Sequence, residues 1–142
     1  MIVPDINLLV YAYNADAPRH APARQWWEQA VRNRLPVGLP WAVACGFVRI
    51  MTDRRILERP FAPGDAVDCV RLWLAQPSVH PIEPGPRHLD ILQDLLAECG
   101  VGGPLTTDAH LAALAIECHA ELHSNDTDFG RFAALKWVNP LS

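Results

Sequence analysis

Four aspartates at three separated places are the residues of this chain best suited to chemistry. Asp5 closes a short apolar run at the N-terminus, and Asp108 opens a long apolar segment. Asp126 and Asp128 follow a third apolar run. Carboxylates a few ångströms apart repel by roughly 4 kcal/mol per pair at an effective dielectric constant of about 20, so a cluster of them needs a divalent cation. Oxygen ligands favour Mg2+ or Mn2+ over zinc, which makes metal-assisted phosphodiester hydrolysis the leading hypothesis.

Each of these carboxylates also has an ordinary structural interpretation. Asp5 could cap the first helix, and Asp108 or Thr107 could cap a later one. Asp126 and Asp128 could be turn residues. Asp108, in the first turn of its predicted helix, would also feel the helix dipole, which favours the ionised form. The metal interpretation depends on all the carboxylates meeting at one edge of the fold.

Short apolar runs alternate along the chain with segments of helical periodicity. Strands are predicted at Ile2–Asp5, Val37–Leu39, Val79–Ile82, Leu122–Ser124 and Trp137–Asn139. Helices are predicted at Ile6–Tyr13, His20–Arg34, Trp41–Thr52, Pro63–Ala75, Arg87–Cys99 and Asp108–Ala120, with a helical turn at Phe129–Phe132. This alternation is typical of an α/β fold with a parallel sheet covered by helices on both faces. Because such sheets bind ligands beyond the carboxyl ends of their strands, we expect Asp5 and Asp126 at that edge.

The composition indicates a globular chain of one domain, with 142 residues of which 50% are hydrophobic and 20% charged. A net charge of -4 argues against a broadly basic surface but does not exclude a nuclease whose acids are gathered in one site. No stretch approaches the length of a membrane span and no secretory signal is visible, so we expect a cytoplasmic protein. The cysteines are interpreted as buried free thiols of a reducing compartment. They are Cys45, Cys69, Cys99 and Cys118.

Arginines are the candidate substrate contacts. Arg49, Arg54 and Arg55 lie close together in a charged loop region, and guanidinium groups suit the geometry of phosphate. They could equally be ordinary surface arginines. Asn7 could orient Asp5 or a water molecule by hydrogen bonding, and is a further candidate at the substrate side of the site.

Several histidines and tryptophans offer alternative functional residues. His110 could act as a base but fits the surface of a helix, and His119 and His123 straddle a helix end and a strand, which disfavours a zinc pair. Trp26 and Trp27 could stack on bases, although packing in the core or an interface is the simpler interpretation.

Several segments together resemble the PIN-domain ribonucleases. Asp5-Ile6-Asn7-Leu8-Leu9 resembles the D-x-N-x-L opening motif of that family, and Thr107–Ala115 resembles its third-acid helix. Ser124–Phe129 is similar to its T-x-D-x-D-F turn. The segments Arg54–Pro60 and Trp137–Leu141 resemble the VapC toxin branch, especially its mycobacterial-type members.

The resemblance implies a three-layer α/β/α fold with a short, mostly parallel five-stranded sheet, as a single PIN domain over residues 1–142. It also implies a toxin that cleaves RNA with Mg2+ or Mn2+, forms a homodimer and is held inactive by a VapB-type antitoxin. By match to the motifs, Asp5 and Asp108 would be the principal metal ligands. Asp126 would complete the site, and Asp128 would act through water.

One position departs from the family pattern. The family's second acid is the glutamate of an E-F-x-R helix, and Gly46 occupies that position in Cys45–Arg49. The loss should weaken a second metal most, and it keeps open a degenerate PIN domain that binds RNA or antitoxin without cleavage. A phosphatase of the haloacid dehalogenase type is disfavoured, because that family needs D-x-D where this chain has Asp5-Ile6-Asn7, and Lys136 is the one lysine available.

Overall fold

The computed structural model describes residues 1–33 and 35–142. Its strands are β1 (Ile2–Pro4), β2 (Val37–Pro40), β3 (Val79–Ile82), β4 (Glu121–His123) and β5 (Lys136–Val138). They form a five-stranded sheet in the order β3-β2-β1-β4-β5, and each neighbouring pair is parallel. The expected α/β fold is therefore confirmed, with a sheet that is wholly rather than mostly parallel.

The helices follow the predicted order. They are α1 (Ile6–Tyr13), α2 (His20–Arg32), α3 (Trp41–Met51), α4 (Pro63–Leu74), α5 (His88–Cys99) and α6 (Leu105–Glu117), with a 3-10 turn at Thr127–Arg131. The prediction for α6 was wrong by three residues at each end. Pro104 precedes the helix, where its fixed φ suits a helix start. The helical conformation stops before His119, whose φ of 54° is left-handed. The predicted end of α2 at Arg34 lies outside the described residues.

Helices cover both faces of the sheet. The chain passes from β1 to β2 to β3 in one direction and then returns to β4 beyond β1. Since such crossovers are right-handed, α1 to α4 lie on one face and α5 and α6 on the other. The observed packing agrees, because α1 contacts α2 and α3, α3 contacts α4, and α5 contacts α6. This is the expected three-layer α/β/α arrangement.

The core on the first face is built around an aromatic cluster. Phe47 and Trp73 stack edge to face with ring centroids 4.6 Å apart, and the Trp73 indole N–H donates to the Tyr13 hydroxyl at 2.8 Å. Trp27 packs against Trp73 and is 2% exposed. The core interpretation of Trp27 is therefore confirmed, and the cluster joins α1, α2, α3 and α4.

The cysteines are free, but the expectation that they are buried was wrong. Cys45 is exposed and the other three are half-buried. Cys45 lies on α3 beside Trp41, where the helix meets α4 at the surface rather than the sheet. Within residues 1–33 and 35–142, no helix has the length and apolar character needed to cross a membrane.

Candidate active site

Asp5 lies at the carboxyl end of β1 and is held from three directions. Its backbone N–H donates to the carbonyl of His123 at 2.9 Å, which continues the pairing of β1 with β4. Its Oδ1 accepts from the backbone N–H of Ile6 at 2.7 Å, and its Oδ2 accepts from the Ser124 hydroxyl at 2.7 Å. The predicted cap of α1 is thus present, and the same carboxylate faces the end of β4.

Ser124 connects the residues on this side of the site, a role that was not predicted from the sequence. Its side chain is fully buried. The hydroxyl donates to Asp5 and accepts from the Asp126 backbone N–H at 3.0 Å and from Asn7 Nδ2 at 3.4 Å. One donor and two acceptor positions are all that a hydroxyl offers, so each is used. A serine directly between an apolar strand and an acidic turn was the signal available in the sequence.

Asn7 belongs to the same network. Its amide oxygen accepts from the Asn125 backbone N–H at 3.5 Å, while its amide nitrogen donates to Ser124. Asn125 in turn accepts from Asn139 Nδ2 at 3.3 Å. Asn7 therefore joins the start of α1 to the segment after β4, close to Asp5, where sequence analysis expected an orienting amide.

The other three aspartates converge at the same edge. Asp108, Asp126 and Asp128 each offer a carboxylate oxygen, and these oxygens lie within 4.8 Å of one another. Asp126 also caps the 3-10 turn by accepting from the Asp128 backbone N–H at 2.9 Å. The cap interpretation does not apply to Asp108, because it is the fourth residue of α6 and Pro104 precedes that helix.

The four carboxylates form one electrostatic unit. Burial is the main cause that raises the pKa of Asp5, against the hydrogen bonds from Ser124 and Ile6, and the charge of Asp126 raises it further. The pKa of Asp108 is also raised, first by burial and then by the charges of Asp126, Asp5 and Asp128. The expected preference of Asp108 for ionisation through the helix dipole is therefore outweighed.

The donor set fits a hard divalent cation. Three carboxylate oxygens within 4.8 Å, with Asp5 close enough to act on Asp108 by its charge, provide oxygen ligands of the kind that Mg2+ and Mn2+ prefer. A cation there would also offset the mutual repulsion that, after burial, raises the pKa values of Asp5 and Asp108. Asp5, Asp108, Asp126 and Asp128 are the residues that would hold it.

Gly46 lies in α3 directly against the start of α1. A Cβ at this position would overlap Cδ1 of Ile6 and lie 3.2 Å from its Cγ1. The end of the Ile6 side chain therefore occupies the space beside position 46 in this structure, and it would have to move to admit a glutamate there. The missing family acid is replaced by an apolar contact rather than by an open cavity.

The three candidate arginines form a separate surface. Arg49, Arg54 and Arg55 line an open pocket at the end of α3. Arg55 is tied to Asp53 by its backbone N–H at 2.8 Å and by two guanidinium contacts at 3.2 Å. Among the described residues, no hydrogen bond or ion pair joins these arginines to the four carboxylates.

Arg131 is the basic residue that does reach the carboxylates, and it was not among the residues predicted from the sequence. Its guanidinium lies 3.6 Å from Asp128 Oδ1. Its positive charge also lowers the pKa of Asp108, in opposition to the neighbouring carboxylates. The signal in the sequence was its spacing of three residues after Asp128.

The histidines bind one another or the scaffold. His110 Nδ1 lies 2.9 Å from Nε2 of the buried His88, so it is not a free surface residue of α6. His123 accepts from Trp26 Nε1 at 3.1 Å and contacts Glu121 at 3.2 Å. His119 is exposed.

Comparison with known proteins agrees with the fold and the position of this site. A family model described as PIN domain matches residues 2–135. The chain therefore belongs to the PIN-domain family. It is 50% identical over 141 residues to Ribonuclease VapC33 of Mycobacterium tuberculosis, with 99% of each chain covered. It is 40% identical over 140 residues to Ribonuclease VapC37 of the same species, covering 99% of this chain and 97% of that one. Within the PIN domains it belongs to the VapC ribonucleases.

Solved structures support the same fold at lower identity. VapBC2 from Rickettsia felis, bound to a DNA fragment from its promoter, matches with a TM-score of 0.71 and 18% identity over 98% of both chains. Mycobacterium tuberculosis VapC20, a Sarcin-Ricin loop cleaving toxin, matches with a TM-score of 0.67 and 16% identity, covering 96% of this chain and 99% of that one.

Proposed function

We propose that this chain is the toxin of a type II toxin–antitoxin system and an endoribonuclease that hydrolyses RNA phosphodiester bonds with Mg2+ or Mn2+. The observation that carries the proposal is the convergence of Asp108, Asp126 and Asp128, with oxygens within 4.8 Å of one another, beside Asp5. The relatives at 50% and 40% identity bear the name ribonuclease. The domain is proposed to span residues 1–142.

The proposed chemistry divides between the ion and the side chains. A divalent ion held by these carboxylates would supply Lewis-acid activation of a phosphoryl oxygen and of a water molecule. Asp5 and Asp108 are the proposed principal ligands, Asp126 completes the set, and Asp128 acts directly or through water. Ser124 keeps the Asp5 carboxylate turned toward β4, and Asn7 holds Ser124. The contribution of the chain is to present ionised oxygens at fixed positions before substrate arrives.

The proposed path of the RNA outside the metal site runs over the end of α3. Arg49 and Arg54 are exposed there and available to phosphate. Arg55 is a weaker candidate than these two, because Asp53 already accepts from its guanidinium. Asn7 is a weaker candidate for direct contact with substrate, since both ends of its amide are occupied within the scaffold.

The proposed partner is a VapB-type antitoxin. The solved structures similar to this chain include VapBC2 of Rickettsia felis and VapBC-1 of nontypeable Haemophilus influenzae. A cluster of carboxylates can bind an arginine of an inhibitor through charge-assisted hydrogen bonds. We expect the antitoxin to insert an arginine there and to lay an apolar segment across the first helices. An inhibitor that binds equally well without any of its arginines would contradict this. A homodimer and a cytoplasmic location stay predictions.

The alternative of a degenerate domain rests on Gly46 alone. The comparisons give it no support, since the relatives that align over nearly the whole chain are named as ribonucleases. The loss of one carboxylate still leaves four others at the site. A cleavage assay separates the two functions.

The test is cleavage of total cellular RNA by the purified chain, freed of antitoxin, with Mn2+ or with EDTA. Asp5→Asn and Asp108→Asn should reduce the cleavage rate by at least about 100-fold. Removing a metal ligand should reduce activity more than removing a residue that only orients a ligand. Asp68→Asn is the matched control, since Asp68 is an exposed carboxylate of α4 paired with Arg71. Discrete, metal-dependent cutting by wild type and Asp68→Asn alone would support the proposal. No cutting by any form would favour the degenerate domain.

A further inference from the structure

Arg131 differs from the other paired arginines in how loosely it is held. Its guanidinium lies 3.6 Å from Asp128 Oδ1, and its side chain is 45% exposed. In the described part of the chain this guanidinium donates no hydrogen bond, whereas Arg55 and Arg59 each donate two to their carboxylate partners. The Arg131 guanidinium therefore lies close to the Asp128 carboxylate but remains available to donate hydrogen bonds to another acceptor.

The backbone under Arg131 is fixed while the side chain is not. The 3-10 turn is anchored by Phe129 and Phe132, which are 1% and 2% exposed, and by the Asp126 cap. In a 3-10 turn, side chains three residues apart lie on the same side. Arg131 is consequently held on the side of Asp128 and directed at the carboxylates instead of into the core.

The negative charge that attracts the Arg131 guanidinium depends on whether the acidic cluster holds a cation. Without a cation, Arg131 is the positive group closest to the acidic cluster among the described residues that form ion pairs. A divalent cation on Asp128 neutralises the charge that attracts Arg131. A phosphodiester brought to the cation carries a new negative charge, and its two free oxygens match the fork of a guanidinium.

We propose that Arg131 is a substrate-binding residue of this site, whose guanidinium moves from Asp128 to the phosphodiester once the cation is bound. The inference rests on the proposed function. It adds a positive group to a site whose four proposed metal ligands are all acidic, and it places that group beside Asp128 rather than on the separate surface of Arg49 and Arg54.

The proposal makes two predictions of opposite sign. Removing the positive charge should strengthen cation binding, because Arg131 competes with the cation for Asp128. The same change should weaken RNA binding, because a phosphate contact is lost. A residue that only supported the 3-10 turn would weaken both when removed.

The experiment compares Arg131→Ala and Arg131→Lys with wild type. Calorimetry with Mn2+ alone should give about twofold or tighter binding for Arg131→Ala. Labelled random-sequence RNA, with Ca2+ in place of Mn2+ and checked on a gel to be intact, should bind about tenfold more weakly. The slope of log K against log salt should fall by about 0.7 to 0.9, as for one lost phosphate contact. Arg131→Lys keeps the positive charge but lacks the planar guanidinium, so its RNA affinity should lie between those of wild type and Arg131→Ala.

Arg71→Ala is the matched control, because Arg71 is an exposed arginine paired with an aspartate three residues away, on α4. It should leave Mn2+ and RNA binding as in wild type. Weaker binding of both Mn2+ and RNA by Arg131→Ala would overturn the proposal, and so would RNA binding equal to that of wild type. If wild type itself neither binds Mn2+ nor cuts RNA, the proposed function fails first, so the two failures are distinguishable.

Discussion

The two halves of the acidic site are built differently. Asp5, the inner carboxylate, ends a strand, has hydrogen bonds on both oxygens and rests on the fully buried Ser124. The outer carboxylates are Asp108, Asp126 and Asp128, which come from α6 and the 3-10 turn. They are gathered within 4.8 Å with a loosely paired arginine beside them.

The difference teaches that the fold places both halves but supplies hydrogen-bond donors to the oxygens of the inner carboxylate, whereas the outer carboxylates are left to repel one another. The inner carboxylate keeps its orientation without a ligand, because neutral donors already satisfy it. The outer carboxylates are placed within 4.8 Å of one another by α6 and the 3-10 turn, and a cation would offset the repulsion between them. Metal-free stability and metal affinity should therefore respond differently to changes in the two halves.

The largest effect should come from Asp108→Asn. We expect Mn2+ affinity to fall at least about 100-fold, and metal-free stability to rise, because a source of repulsion is removed. Asp5→Ala should instead lower metal-free stability by about 0.5–2 kcal/mol, since the cap of α1 is lost. Urea unfolding in EDTA and calorimetry with Mn2+ measure both. A change of the same sign in metal-free stability for both variants would contradict the comparison.

Ser124→Ala should have the next largest effect, and it tests the inner half without touching a carboxylate. Metal affinity should fall about 10- to 100-fold, as for the loss of a group that orients a ligand. Stability should fall by about 1–3 kcal/mol, because the acceptor of the Asp126 N–H disappears. Ser78→Ala is the control, since the Ser78 hydroxyl donates to the Val31 carbonyl at 2.7 Å within the scaffold. Equal losses of Mn2+ affinity in the two variants would refute the role of Ser124.

A third test asks whether the inner half has room for the missing acid. Gly46→Glu should destabilise the fold by about 1–3 kcal/mol, because the new side chain meets Ile6. Ile6→Val removes the overlapping methyl group and should recover part of that loss. Unfolding of both single variants and the double variant gives the coupling energy between the positions. Additive effects would mean that Ile6 does not exclude the glutamate.

The smallest expected effect is in the dependence of stability on pH. The pKa values of Asp5 and Asp108 lie above the ordinary 3.8 in the folded protein. The folded state therefore binds more protons than the unfolded chain above that pH, and stability contributed by these groups is lost as pH rises through the folded pKa values. In EDTA, the stability of Asp108→Asn relative to wild type should increase from acid to neutral pH. A flat difference would contradict the raised pKa of Asp108.

Most of the elements that position the site were predictable, because local patterns govern them. Helix α1 at Ile6–Tyr13 has the predicted bounds, and its cap by Asp5 follows from residue types that adjoin in the chain. The boundaries of α6 were missed, because a proline start and a left-handed end at His119 outweighed the apolar pattern. The exposure of the cysteines was missed, because an apolar neighbourhood in the sequence does not state which helix face meets the sheet.

The sequence by itself determined which acids are present, the order of strands and helices around them, and the family motifs in which they occur. Only the tertiary structure decided their partners. Ser124 and Asp5 are 119 residues apart in the chain, and Gly46 meets Ile6 across two helices. The physical reason is that hydrogen bonds and steric contacts depend on distances of a few ångströms, which local periodicity does not encode between remote segments.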